Sequence, residues 1–116
     1  MQSQSVSTPP ELTVVVPVKD EADNVRPLID EIVAALRGKE AFEIVYVDDG
    51  SKDATPQILA AARAEIPELR IVRHERNAGQ SAGVRSGVKA ARGLLVATLD
   101  GDGQNDPADL PAMLEQ

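Results

Sequence analysis

The chain has 116 residues, 42% of them hydrophobic and 27% charged, with a formal net charge of -7 and no cysteine. That size fits one globular domain with an adequate core, the acidity excludes a general nucleic-acid binder, whose affinity comes from Lys and Arg on phosphates, and the missing thiols exclude both a disulfide framework and a thiolate metal site. No apolar run approaches the roughly 18 residues of a membrane span, and the N-terminus lacks the basic-then-apolar pattern of a signal peptide, so a cytoplasmic chain without a membrane span is expected.

Residues 1–11 are polar, rich in Ser and Gln, and end in Pro9-Pro10, which predicts a disordered lead-in before a domain over 12–116. Leu12 to Pro17 is a β-branched run that suits a strand buried on both faces, and a central one. Val25, Leu28, Ile29, Ile32, Val33 and Leu36 then follow helical spacing, with Asn24 as the expected cap, Pro27 in the first turn and Gly38 as the stop. Phe42 to Val47 reads as the second strand. Ser51 or Asp53 is placed to cap a second helix, which tolerates Pro56 early and is closed by Pro67.

Leu69 to Arg73 is a short third strand, and the loop Arg76-Asn77-Ala78-Gly79 leads into a third helix running to about Arg92. One face of that helix carries Ala82, Gly83, Ser86, Gly87, Ala90 and Ala91. Such small residues let a helix lie close to a sheet, or let backbone approach a ligand. Leu94 to Leu99 is the fourth strand, and a last helical stretch begins near Pro107. Alternating strands and helices predict an α/β fold, an open and mostly parallel sheet with helices on both faces.

Two strands end alike, in Asp48-Asp49-Gly50-Ser51 and in Asp100-Gly101-Asp102-Gly103. In open parallel sheets the ligand crevice lies outside the carboxyl ends of the strands, so both acidic clusters are expected on one edge. Asp100 and Asp102 in a glycine-rich turn suit a hard cation, which takes one or two carboxylates and fills its other positions with water and phosphates. Read alone, the same residues are an ordinary turn. A calcium loop of the EF-hand type does not fit, because Asn105 stands where its glycine belongs and Pro111 where its glutamate belongs.

Asp48-Asp49 can accept hydrogen bonds from a base N–H, while Ser51 and Asp53 serve capping in either case. Glu21 lies just past the first strand, where the helix dipole alone favours an acid. Arg73, His74 and Arg76 form the local basic cluster. His74 is read as a surface residue, since the further ligands of a histidine metal site have no candidate here. A polyanionic ligand would be repelled by such an acidic edge unless a cation stood between them.

Four segments, Val14-Val15-Val16-Pro17-Val18-Lys19-Asp20-Glu21, Val47 through Thr55, Asn77-Ala78-Gly79-Gln80 and Asp100 through Pro107, resemble in order the motifs of family-2 glycosyltransferases. The likeness is to the polyprenyl-phosphate branch that includes dolichyl-phosphate mannosyltransferase. It implies a GT-A fold, a nucleotide-diphospho-sugar donor, Mg2+ or Mn2+, and a lipid-phosphate acceptor met at the cytoplasmic membrane face. It further implies that Pro17, Val18 and Glu21 line the base and ribose pocket, with Asp49, and Asp48 beside it, reading the base. Asp100 would contact ribose or metal, Asp102 would hold the metal against the diphosphate, and Gln104 would belong to the same site. Lys19-Asp20 departs from the aromatic-Asn usual before the glutamate. Family domains are longer than this chain, so a donor-site module is expected, completed by an acceptor-side half after Gln116 or by self-association. A receiver-like regulatory domain is the rival, but its acidic pair should follow the first strand. A Rossmann dinucleotide enzyme lacks its G-x-G-x-x-G here.

Overall fold

The computed structural model describes residues 10–100, so the acidic turn beyond Asp100, the stretch from Pro107 and most of the N-terminal lead-in lie outside it. The described elements are β1 (Leu12–Val18), α1 (Ala22–Leu36), β2 (Phe42–Asp49), α2 (Thr55–Glu65), β3 (Leu69–His74), α3 (Gln80–Ala90) and β4 (Leu95–Thr98). All four strands are parallel, in the order β3-β2-β1-β4. A receiver domain has the order 2-1-3-4-5, so this topology excludes that rival. β1 is central, as its uninterrupted valines require.

The period of two along the strands separates two layers. Val14, Val16 and Val18 of β1, with Ile44 and Tyr46 of β2, share one core cluster with Val25, Leu28, Ile29, Ile32 and Leu36 of α1 and Leu59 and Ala62 of α2. The alternate residues Val15, Pro17 and Val47 meet α3, where Gly83 faces Pro17 and Val47 and Gly87 faces Val15. Helices therefore cover both faces, as expected. Pro17 does not end β1, which continues to Val18 beside Asp48. Val15 O accepts the N–H of Leu99, so the alternate residues of β1 bond toward β4. Pairing with β4 stops at Thr98 opposite Val15, on the side where Pro17 has no N–H to carry the ladder further.

The small face of α3 has a packing reason. A Cβ on Gly87 would overlap Val15 Cγ1, and Val15 is a stiff β-branched side chain buried in the central strand. Gly87→Ala should gain about 1 kcal/mol of helix propensity and lose about 2–3 kcal/mol to overpacking. Urea unfolding should therefore show a net loss of about 1–2 kcal/mol, and adding Val15→Ala should make the pair non-additive by about 1 kcal/mol. Additive effects would show that α3 shifts freely off the sheet.

The loops at the carboxyl ends of β1 and β2 clasp each other. Asp20, at φ 55 in the left-handed region, donates its N–H to Ser51 Oγ and accepts the N–H groups of Lys52 and Asp53 on Oδ1. Glu21 N–H donates to Thr55 Oγ1, and Ala22 N–H to Asp53 Oδ2. The caps differ from the sequence expectation for this reason. α1 begins at Ala22 with Glu21 as N-cap, and the Asn24 side chain donates to Glu21 Oε1 instead of capping. α2 has Ala54 at its N-cap, while Asp53 accepts the Thr55 N–H one position earlier.

Candidate functional site

β2 and β3 extend to one side of β1 and β4 returns to the other, which puts the topological switch point between β1 and β4. Ligands of open α/β sheets bind in the crevice at that point. A cleft of about 330 Å3 opens there, lined by Pro17, Val18, Lys19 and Glu21 after β1, Asp49 at the end of β2, Asn77, Gly79 and Gln80 before α3, and Asp100 after β4. Asp49 and Asp100, one from each acidic cluster, thus meet on one edge, where the strand endings place them. Five of the expected site residues line the cleft: Pro17, Val18, Glu21, Asp49 and Asp100. Asp102 and Gln104 lie outside the described residues.

Asp48 does not line it. Val18 and Arg73 are its register partners, and its carboxylate is buried, with Oδ1 accepting the Ser51 N–H and Oδ2 lying 3.7 Å from Arg73 Nη1. No hydrogen bond reaches that Oδ2. Of two adjacent strand residues, only one can face a given side of the sheet, and Asp49 is the one on the α3 side.

Asp49 is held from several directions. Oδ1 accepts the Ala78 N–H at 2.8 Å and lies 2.8 Å from His74 Nδ1, while Oδ2 accepts the Gly79 N–H at 2.8 Å. Burial opposes its charge, but the Ala78 N–H, His74 and the Gly79 N–H outweigh burial and hold the carboxyl below its usual range. A carboxylate offers about four acceptor positions, so one on Oδ2 remains. Gly50, at φ 76, lets the Arg76-Asn77 backbone pass close by, where a Cβ would meet Asn77 N at 2.9 Å. On the opposite wall Gln80 Nε2 donates to Asp100 Oδ1 at 3.2 Å.

Lys19, Asn77, Gly79 and Gln80 join the lining without having been singled out as site residues. The signal for the last three was present, since Asn77-x-Gly79 sits in a loop after a strand on the same edge. A second polar centre lies at the other end of the strands. Glu43 is buried, yet accepts hydrogen bonds from Thr13 Oγ1, the Arg92 N–H, and the side chains of Arg70 and Arg92. Burial raises its pKa, and the Arg92 N–H, the Thr13 hydroxyl and the two arginines bring it below the usual glutamate value.

Asp49 and Glu43 share one pH consequence. A folded-state pKa depressed below the unfolded one, about 3.9 for Asp and 4.3 for Glu, gives stability that is complete above those values and lost as pH falls through the folded pKa. Urea unfolding should be flat with respect to these groups from pH 7 to 5 and should weaken between pH 5 and 3. Glu43→Gln should flatten that slope. An unchanged slope would remove Glu43 from the account.

Residues 13–116 match the family described as Glycosyl transferase family 2. The chain belongs to that family. The family-2 chain is 44% identical over 111 residues to the dodecaprenyl-phosphate galacturonate synthase of Rhizobium johnstonii, covering 91% of this chain and 32% of that protein. It is 40% identical over 108 residues to the undecaprenyl-phosphate 4-deoxy-4-formamido-L-arabinose transferase of Pseudomonas fluorescens, covering 90% and 32%. Among solved structures it superimposes on the mannosyltransferase PcManGT from Pyrobaculum calidifontis in complex with GDP-Man and Mn2+, with a TM-score of 0.81, 25% identity, and 94% and 32% coverage. For S. aureus TarS 1-349 in complex with UDP-GlcNAc the TM-score is 0.78, with 26% identity, and 90% and 30% coverage. The chain spans about a third of the length of the curated relatives it matches. No helix among the described residues is long and apolar enough to cross a membrane.

Proposed function

We propose that this chain is the donor-binding portion of a glycosyltransferase that moves a sugar from a nucleotide-diphospho-sugar to a polyprenyl phosphate, assisted by a divalent cation. The observation that carries the reading is the acidic cleft at the switch point of a family-2 chain, bounded by Asp49 on one wall and Asp100 on the other. The names of the relatives support the acceptor class, and the donors held by the two structural neighbours support the donor class. A lipid-linked acceptor favours peripheral contact with the cytoplasmic membrane face.

Pro17, Val18 and Glu21 form the base and ribose side, and the remaining acceptor position on Asp49 Oδ2 takes a base N–H. Asp48 supports this wall from behind through the turn at Ser51. Mg2+ or Mn2+ takes hard oxygen ligands from Asp100 and from Asp102 two residues on, with Gln104 beside them, and fills its other positions with phosphates and water. When bound, such a cation supplies neutralisation of the leaving nucleoside diphosphate. The chain's own part is to hold the base, present the carboxylates and align the sugar for attack by the acceptor phosphate on the anomeric carbon.

Calorimetric titration of GDP-mannose, UDP-glucose, UDP-N-acetylglucosamine and UDP-galacturonate, with and without Mn2+, tests the reading. At least one donor should bind, more weakly by about tenfold without Mn2+ or in Asp102→Asn, as expected for losing one charge-assisted contact. If none binds and Asp102→Asn changes nothing, the donor-site reading is wrong.

A further inference from the structure

Behind the Asp49 wall the ring of His74 stands between two side chains, with Nδ1 2.8 Å from Asp49 Oδ1 and Nε2 2.7 Å from Ser86 Oγ. An ionised carboxylate only accepts, so Nδ1 carries the proton, and in the neutral form of the ring Nε2 then accepts the Ser86 hydroxyl proton. The tautomer follows from the network. The three groups come from the end of β2, the end of β3 and the interior of α3. The order carboxylate, imidazole, hydroxyl is also that of a nucleophilic triad. Ser86, however, sits within a helix whose N–H groups are spent on its own ladder, which leaves no donor pair to stabilise an oxyanion.

We propose that His74, locked by Ser86, is the positioning residue of the cleft: it fixes the Asp49 carboxylate so that the Ala78 and Gly79 N–H groups dock on it and one acceptor position stays turned to the ligand. Three observations meet here. Asp49, Gly79 and the adjoining Asn77 line the cleft. His74 pairs with Asp49 in the β2–β3 register, so ring and carboxylate are neighbours by backbone geometry alone. The ring is largely enclosed, at 19% side-chain exposure, so water competes little for either nitrogen. Without the ring, Asp49 keeps its backbone contacts but loses the brace that sets its rotation. The ligand half of this inference rests on the donor-site reading, whereas the ring, the carboxylate and the two amides do not.

The test uses the 116-residue chain as wild type, His74→Leu, His74→Asn and Ser86→Ala. Without ligand, 15N spectra of the imidazole should show Nδ1 protonated and Nε2 unprotonated. Amide exchange at Ala78 and Gly79 should quicken about tenfold in His74→Leu, the effect of losing one hydrogen bond to a charged group. His74→Asn, whose amide can donate near the place of Nδ1, should return it to within about threefold of wild type. Ser86→Ala, which removes only the donor to Nε2, should keep Nδ1 protonated and shift the Nε2 resonance as that hydrogen bond is lost, and covers the case in which His74→Leu does not fold. Titration with UDP and with GDP, each with Mn2+, should show the tighter ligand weakened about tenfold in His74→Leu and restored in His74→Asn. The proposal is overturned by a protonated Nε2 in the wild type, by a Ser86→Ala spectrum identical to wild type, or by a His74→Asn variant as impaired as His74→Leu. A wild type that binds neither nucleotide would sink the donor-site reading, and the ligand-free measurements would still decide the role of His74.

Discussion

Glu43→Ala should lower the unfolding free energy by about 3 kcal/mol while leaving nucleotide affinity within about twofold. The residue is 2% exposed and accepts from groups that come from far along the chain: Thr13 Oγ1 at 2.7 Å, the Arg92 N–H at 2.7 Å, Arg70 Nη1 at 2.9 Å and Arg92 Nε at 3.1 Å. The arginines alone do not explain the expected cost. Their side chains are 36% and 61% exposed and can return to water, so each ion pair contributes about 0–1 kcal/mol. The buried Thr13 hydroxyl and the part-buried Arg92 N–H lose their acceptor, at about 1–3 kcal/mol for a group left buried and unsatisfied. Glu43→Gln keeps the volume and one carbonyl, and should cost about 2 kcal/mol. Chemical denaturation reads both, and nucleotide titration supplies the control. A loss below about 1 kcal/mol for Glu43→Ala would mean that these donors find water.

Asp49→Asn acts on the other end of the strands and on both stability and binding. The replacement is nearly isosteric, but an amide has one acceptor oxygen where Asp49 uses two. With its oxygen toward Ala78 and His74, the new NH2 confronts the Gly79 N–H. The flipped amide confronts Ala78 instead. Either way two donors face each other, and the loop over residues 77–79 that lines the cleft must move. The expected outcome is a loss of about 2 kcal/mol in stability and about a hundredfold in affinity for the tightest donor, the upper part of the range for a hydrogen bond to a charged group. Parallel denaturation and calorimetry separate the two effects. Unchanged affinity in a folded Asp49→Asn variant would remove Asp49 from donor recognition.

The elements were legible where one local pattern decided them. The valines of β1 and the period of α1 gave the central strand and the first helix, and the small residues of α3 announced close contact with the sheet. The strand ends were less legible. Propensity stops β2 at Val47 and β3 at Arg73, yet the ladder runs on to Asp49 and His74, because those two side chains bond each other across it. Asn24 read as a cap because its type favours that position, but the loop clasp through Asp20, Ser51 and Asp53 starts α1 earlier. The acidic edge was legible from strand order, while the division of labour between Asp48 and Asp49 needed the pleat. Glu43 was out of reach, because its partners lie 27 to 49 residues away. An acidic residue inside an apolar strand was its one sequence trace.

The strand order also distributes the cost of closing the sheet unevenly. β2 and β3 each add beside the strand made just before, whereas β4 must return past both to reach β1, where Leu12 pairs with Leu95. Closing that span costs the most chain entropy in the sheet. The Asp100 wall of the cleft therefore rests on the strand whose pairing is the most costly to close. A ligand that needs both walls binds only the closed chain, and by mass action it holds β4 in place.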